Sequence, residues 1–177
     1  AVDQAIGADA IEAIIDASIR EQLEAERGVG LFLSGGIDSS IIASSPAVRE
    51  AALPAFVATF PVAKCFDESH HAQGVADACG LPLTKIEMTD DRIQEAATRL
   101  GAAYDEPFAD ASALPTLVLT KEVAQHCTVA LSGDGGDELF GGYRRHSVLR
   151  LRAALPSPLR FLGGILGGQL RQALRSR

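Results

Sequence analysis

The chain has 177 residues, 47% hydrophobic and 22% charged, a composition that suits one globular domain with a full core. Its 16 basic and 23 acidic residues leave a net charge of −7, which argues against a nucleic-acid partner, because phosphate-backbone affinity rests on clustered Lys and Arg. Three cysteines without metal or redox spacing, no signal-peptide order and no apolar stretch of bilayer length predict a cytoplasmic protein with no membrane partner, its thiols reduced and buried as small hydrophobes.

Ile11, Ile14, Ile15, Ile19 and Leu23 recur at helical spacing, so the first segment reads as an amphipathic helix ending near Gly28. Val29 to Leu33 is too short for a helix and apolar on both faces apart from Gly30, the pattern of a central strand in a parallel sheet. Ser39 to Ala52 reads as a helix. Ala55 to Phe60 reads as a second strand, and Asp67 is expected to cap a helix running to about Cys79, where Gly80 stops it. A third strand, Pro82 to Ile86, precedes a helix capped near Thr89 or Asp90, with Ile93, Ala96, Ala97 and Leu100 on its apolar face. Ser112 opens another, with Pro115 in the first turn, where a missing amide is tolerated. Thr128 to Leu131 is the fourth strand. This alternation predicts an α/β domain, an open parallel sheet with helices on both faces, whose ligands sit at the carboxyl ends of the strands.

Two glycine-rich acidic loops stand at such ends. They are Ser34-Gly35-Gly36-Ile37-Asp38-Ser39-Ser40 and Ser132-Gly133-Asp134-Gly135-Gly136-Asp137-Glu138. In the first, the glycines let the backbone approach a polyphosphate, the helix-start amides point at it, and the hydroxyls add neutral donors. A carboxylate beside a polyanion is repelled unless a divalent cation lies between them, so Asp38 reads as a magnesium ligand with Asp137 as its partner. No Lys-Ser or Lys-Thr follows the glycines, which excludes a Walker loop, and the three spaced glycines of a dinucleotide fingerprint are missing too.

Elsewhere the residues say less. His70 and His71, adjacent on one helix, are expected to diverge and face solvent. Asp105 and Glu106 fit either a solvated turn or a substrate site. Beyond Tyr143, basic residues, two prolines and the apolar, glycine-rich run from Leu159 to Leu170 read as an incomplete helical extension that lacks its packing partner, with an amphipathic surface helix as the alternative. The expected division is 1–143 for the domain and 144–177 for the start of a truncated extension.

Ser34 to Ser39 resembles the SGGxDS pyrophosphate loop of the N-type ATP pyrophosphatases. Ser132 to Tyr143 resembles the second signature of glutamine-dependent asparagine synthetases and their close relatives, and Asp105-Glu106-Pro107-Phe108-Ala109-Asp110 is similar to a third family segment. The resemblance runs from roughly Ile11 to Tyr143. It implies an adenine nucleotide alpha hydrolase-like fold that binds ATP and Mg2+. Carried over by position, it implies that Leu33, Ser34, Gly35, Gly36, Asp38, Ser39 and Ser40 meet ATP, that Ala58 lines the adenine pocket, and that Ser132 and Gly133 complete it. Asp38 and Asp137 would hold magnesium. Asp134 stands where many members carry Glu, a position tied to acyl-adenylate formation and the ammonia step.

The implied reaction joins ATP, aspartate and ammonia. The aspartate β-carboxylate attacks the α-phosphorus to give β-aspartyl-AMP and pyrophosphate; ammonia then releases asparagine and AMP, with Asp134 placed to take its proton. Family members begin with a cysteine that hydrolyses glutamine and carry a lysine beyond the second signature. Here Ala1 is first, no cysteine precedes Cys65 and no lysine follows Lys121. An N-terminal glutaminase domain in a full-length parent is therefore the expected partner. Two readings stand beside this one: a related acyl-adenylating amidotransferase, β-lactam synthetase-like or peptide-modifying, and an ATP-binding module without turnover.

Overall fold

A computed structural model of the chain describes residues 7–25, 28–106, 109–143 and 146. The helical extension expected over 144–177 lies, apart from His146, outside the described residues. The chain divides into two compact units, Ala1–Gly133 and Asp134–Arg177.

The first unit is built on four strands, β1 (Val29–Phe32), β2 (Ala55–Thr59), β3 (Leu83–Glu87) and β4 (Val129–Leu131), in the order β3-β2-β1-β4. All three pairings are parallel; β1 aligns Leu31 with Ala55 of β2 on one side and with Leu131 of β4 on the other. Strand side chains alternate between faces. Leu31, Leu33, Ala55 and Val57 pack with α1 (Ala8–Leu23), α2 (Ile37–Ser44), α3 (Pro46–Ala51) and α4 (Ser69–Cys79) in one apolar core. Phe56 and Ile86 pack with α5 (Asp90–Ala103) and α6 (Ala113–Val123) in the other, with Phe32 and Ala58 against it. The sheet is thus covered on both faces. The chain passes from β1 to β2 on one side and returns to β4 on the other, so the two loops leave adjacent strands at the topological switch point.

Gly30 is set by packing. A Cβ there would stand 2.8 Å from Cys127 Sγ and 2.9 Å from Phe56 Cε2.

The expected helix from Ser39 to Ala52 is instead two helices. Ser45 sits between them at φ −53°, ψ 135°, because a residue before proline is pushed out of the helical region and Pro46 suits a first helical position. Asp16 on α1 supplies the missing cap: its Oδ1 accepts from the Ser45 hydroxyl and from Ala47 N. The Ser45 hydroxyl, then the Ala47 amide, hold the Asp16 carboxyl below its ordinary range.

The other helices follow local signals. Thr89 caps α5 by accepting from Arg92 N. Gly80 ends α4 at φ 71°, and Leu81 N closes the turn onto Ala76 O at 2.9 Å. Asp67 lies one residue further out than a cap, since Glu68 holds the cap position. No helix among the described residues is long and apolar enough to cross a membrane.

Candidate active site

The first loop turns between β1 and α2. Gly35 has φ +81°, a left-handed value that favours glycine. A Cβ on it would stand 2.5 Å from Ala72 N and 2.7 Å from His71 Cβ, so the first turn of α4 presses directly on the loop. The hydroxyls gather around Gly36: Ser40 Oγ donates to Gly36 O at 2.7 Å, Ser39 Oγ donates to it at 3.2 Å, and Gly36 N donates to Ser34 Oγ at 3.2 Å. Ser34 and Ser39 also share a hydroxyl contact of 3.1 Å. Ser39 is buried and Ser34 exposed, so these hydroxyls shape the loop, while Ser34 also faces solvent.

No side chain caps α2, whose cap position is Gly36 itself. Its first-turn amides are the orphan donors that favour an anion. Asp38 lies in that turn, half-buried, and its carboxylate has no hydrogen bond or ion pair among the described residues. A free carboxylate next to amides suited to a polyphosphate is the hard oxygen donor that Mg2+ takes together with phosphate oxygens and water. Among the described residues no group of three or more His, Cys, Asp or Glu gathers as a closed cage.

Ser132 and Gly133 follow β4 and reach this loop. A Cβ on Gly133 would stand 2.9 Å from both Asp38 Cβ and Ser39 N. Leu33 is 1% exposed, with its side chain in the core, so its main chain is what it offers a ligand. Ala58 is half-buried on the opposite face of the sheet, against the second core. A groove of about 640 Å³ runs beside the loop between α2 and α4, bordered by Gly35, Ile37, Ser40, His70, His71 and Val75. Another, of about 460 Å³, lies between α5 and α6, where Lys121 and Arg92 pair with Glu95 and Glu122. No predicted site residue borders that second groove.

The second unit holds the remaining acids. Gly135, at φ +90°, opens α7 (Gly136–Phe140), and Gly141, at φ +70°, closes it. Asp137 lies in the first turn, with its carboxylate where a Cβ on Gly142 would stand, and Gly142 N donates to Asp137 O at 3.1 Å. Tyr143 donates its hydroxyl to Glu138, and Asp134 is exposed ahead of the helix.

Two further readings come out differently in part. His70 and His71 are exposed as expected, yet their rings lie against each other with centroids 3.8 Å apart rather than diverging. Cys127 is buried, but Cys79 is half-buried and Cys65 is exposed in a short 3-10 turn. Asp105 and Glu106 are both exposed, while Asp110 accepts from Ser112 Oγ and Ser112 N, which lower its pKa in that order.

Asp67 does more than the cap that the sequence predicts. Its Oδ2 accepts from Phe60 N at 3.1 Å and its Oδ1 from Ser69 N at 2.9 Å, joining the end of β2 to the start of α4. Its pKa is lowered, chiefly by Ser69. The only trace of this in the sequence is an acid placed shortly before a helix and soon after a strand.

The sheet order and the loops at its switch point define an adenine nucleotide alpha hydrolase-like domain. Solved structures share that fold: the NH3-dependent NAD synthetase of Campylobacter jejuni aligns with a TM-score of 0.52 at 21% identity, over 78% of this chain and 62% of the other. A glutamine-dependent NAD+ synthetase of Acinetobacter baumannii, in complex with ADP, aligns at 0.52 and 21%, over 76% of this chain and 27% of its own. Residues 10–177 match the asparagine synthase family, and the chain belongs to that family. A putative glutamine-hydrolyzing asparagine synthetase of Mycobacterium tuberculosis is 34% identical over 96% of this chain. A glutamine-hydrolyzing asparagine synthetase of Bacillus subtilis is 37% identical over 75% of it. The chain spans 26% of the first of these relatives and 21% of the second.

Proposed function

We propose that this chain is the ATP-binding part of a ligase that forms an amide by adenylating a carboxylate, and that the carboxylate is the side chain of aspartate. The observation that carries the reading is the uncapped start of α2, with Gly35 in a left-handed turn before it and the free carboxylate of Asp38 within it. Membership of the asparagine synthase family supports the choice of reaction.

In this reading the first-turn amides of residues 37–39 hold the pyrophosphate end of ATP, and Ser34 adds a hydroxyl. Ala58, the main chain of Leu33, Ser132 and Gly133 border the nucleoside. Asp38 and Asp137 would hold magnesium, which would supply positive charge beside the pyrophosphate. The aspartate β-carboxylate oxygen bonds to the α-phosphorus as the bond to pyrophosphate breaks. Ammonia nitrogen then bonds to the activated carbonyl carbon, AMP leaves, and Asp134 takes a proton from the attacking nitrogen. Placing both reactants in one crevice supplies much of the rate. A glutaminase domain of the parent protein would deliver the ammonia.

Pyrophosphate release by the full-length parent, given MgATP, ammonium and one amino acid at a time, tests the reading. Stimulation by aspartate with equimolar AMP is the expected result. Release with another carboxylic acid and none with aspartate would move the protein to a different acyl-adenylating ligase, and MgATP binding without any release would leave a nucleotide-binding module.

A further inference from the structure

We infer that Asp67 is a positioning residue for the pyrophosphate loop, acting through α4 rather than by touching the nucleotide; the inference rests on the nucleotide reading above. Its two oxygens bridge different elements. One takes the amide of Phe60, just past the end of β2, and the other takes the amide of Ser69, the first residue of α4. This fixes where α4 begins relative to the carboxyl edge of the sheet.

That starting point matters because of what stands one turn away. His71 and Ala72 lie in the first turn of α4, and their backbone occupies the space where a Cβ on Gly35 would fall, at 2.5 to 2.7 Å. Such an approach leaves no slack between helix and loop. Gly35 in turn precedes Gly36, the cap position of α2, around which Ser34, Ser39 and Ser40 arrange their hydroxyls. A connected path therefore runs from the end of β2 through Asp67 to α4, and from α4 by direct backbone contact to the loop. Loss of the Phe60 link frees the helix start to shift, and the loop amides lose their common aim.

A purely local role for Asp67 would be to satisfy the Ser69 amide. Asp67→Ser keeps that short turn-type bond but cannot span to Phe60, whereas Asp67→Ala loses both. Calorimetric titration of MgATP into the chain and into Asp67→Ser and Asp67→Ala, with Glu95→Gln as a remote control, separates the roles. Both Asp67 variants should weaken binding roughly tenfold, the worth of one hydrogen bond to a charged acceptor, and the control should bind like the wild type. Amide hydrogen exchange, read without nucleotide, should quicken in residues 34–37 of both variants and stay unchanged across α6.

Asp67→Ser behaving like the wild type in both measurements would overturn the inference, whatever Asp67→Ala does. If the wild-type chain fails to bind MgATP, the nucleotide reading fails and exchange alone decides the positioning. If Asp67→Ala does not fold, Asp67→Ser still decides, because it retains the bond at the helix start.

Discussion

Gly133 lies so close to Asp38 that a Cβ on the glycine would stand 2.9 Å from the Cβ of the aspartate and equally near the backbone nitrogen of Ser39. Residues nearly a hundred positions apart meet because β4 pairs with β1, which brings the segments after both strands to one edge. The neighbours of Gly133 are backbone and a Cβ, which cannot swing away.

Gly133→Ala should therefore cost about 1–3 kcal/mol of stability from overpacking, and should weaken MgATP binding by moving the first turn of α2. Urea unfolding and calorimetry on the same preparation check both effects. Wild-type stability in the variant would show that the contact yields without cost.

Gly35→Ala should be worse than Gly80→Ala, although both glycines have positive φ, +81° and +71°. Nothing lies within 4 Å of the space a Cβ would take at Gly80, so that change costs only the left-handed backbone, about 1–2 kcal/mol. At Gly35 the overpacking against His71 and Ala72 adds about 1–3 kcal/mol. Unfolding midpoints of the two variants rank them.

The elements that local chemistry determines were legible in the sequence. Val29 to Leu33 and Ala55 to Phe60 show themselves as short apolar runs bounded by Gly and Pro, and Gly80 and Thr89 end and begin helices as their residue types require. What the sequence hid depends on contacts between distant segments. Pro46 could have marked the break between α2 and α3, yet the Asp16 carboxylate that caps α3 comes from thirty residues upstream. Asp67 reads in the sequence as an ordinary cap because its second partner, Phe60, is defined only by the end of β2. For the first loop, the glycines and hydroxyls of the sequence predict an anion site, whereas the seating of His71 on Gly35 depends on the packed sheet and helices.

Asp16→Asn should destabilise the chain at neutral pH, since a neutral amide is a weaker acceptor for the Ser45 hydroxyl and the Ala47 amide. The folded pKa of Asp16 lies below its ordinary value of 3.8, so its stabilisation is fully present above that value and is lost as pH falls through the folded pKa. Urea unfolding of both proteins from pH 7 downward should show a constant difference that narrows below about pH 3.8. A difference that persists unchanged at lower pH would assign the effect to shape instead of charge.

The three thiols should react with a disulfide reagent in sequence. Cys65 is exposed and Cys127 is buried over Gly30, where burial raises its pKa and lowers its thiolate fraction. Mass spectrometry after brief labelling at neutral pH should find Cys65 modified first and Cys127 only after denaturant is added. Early labelling of Cys127 in the native chain would contradict the packing of β1 against the segment before β4.

The central claim is that the loop after β1 binds a polyphosphate together with a metal held by Asp38. Calorimetric titration of ATP into wild type and Asp38→Asn, each with excess magnesium and again with a chelator, tests it most directly. The account predicts that the substitution weakens binding strongly in magnesium and little, or in the opposite sense, in chelator, where a negative charge beside the phosphates is removed. Equal effects in both conditions would contradict a metal-ligand role for Asp38.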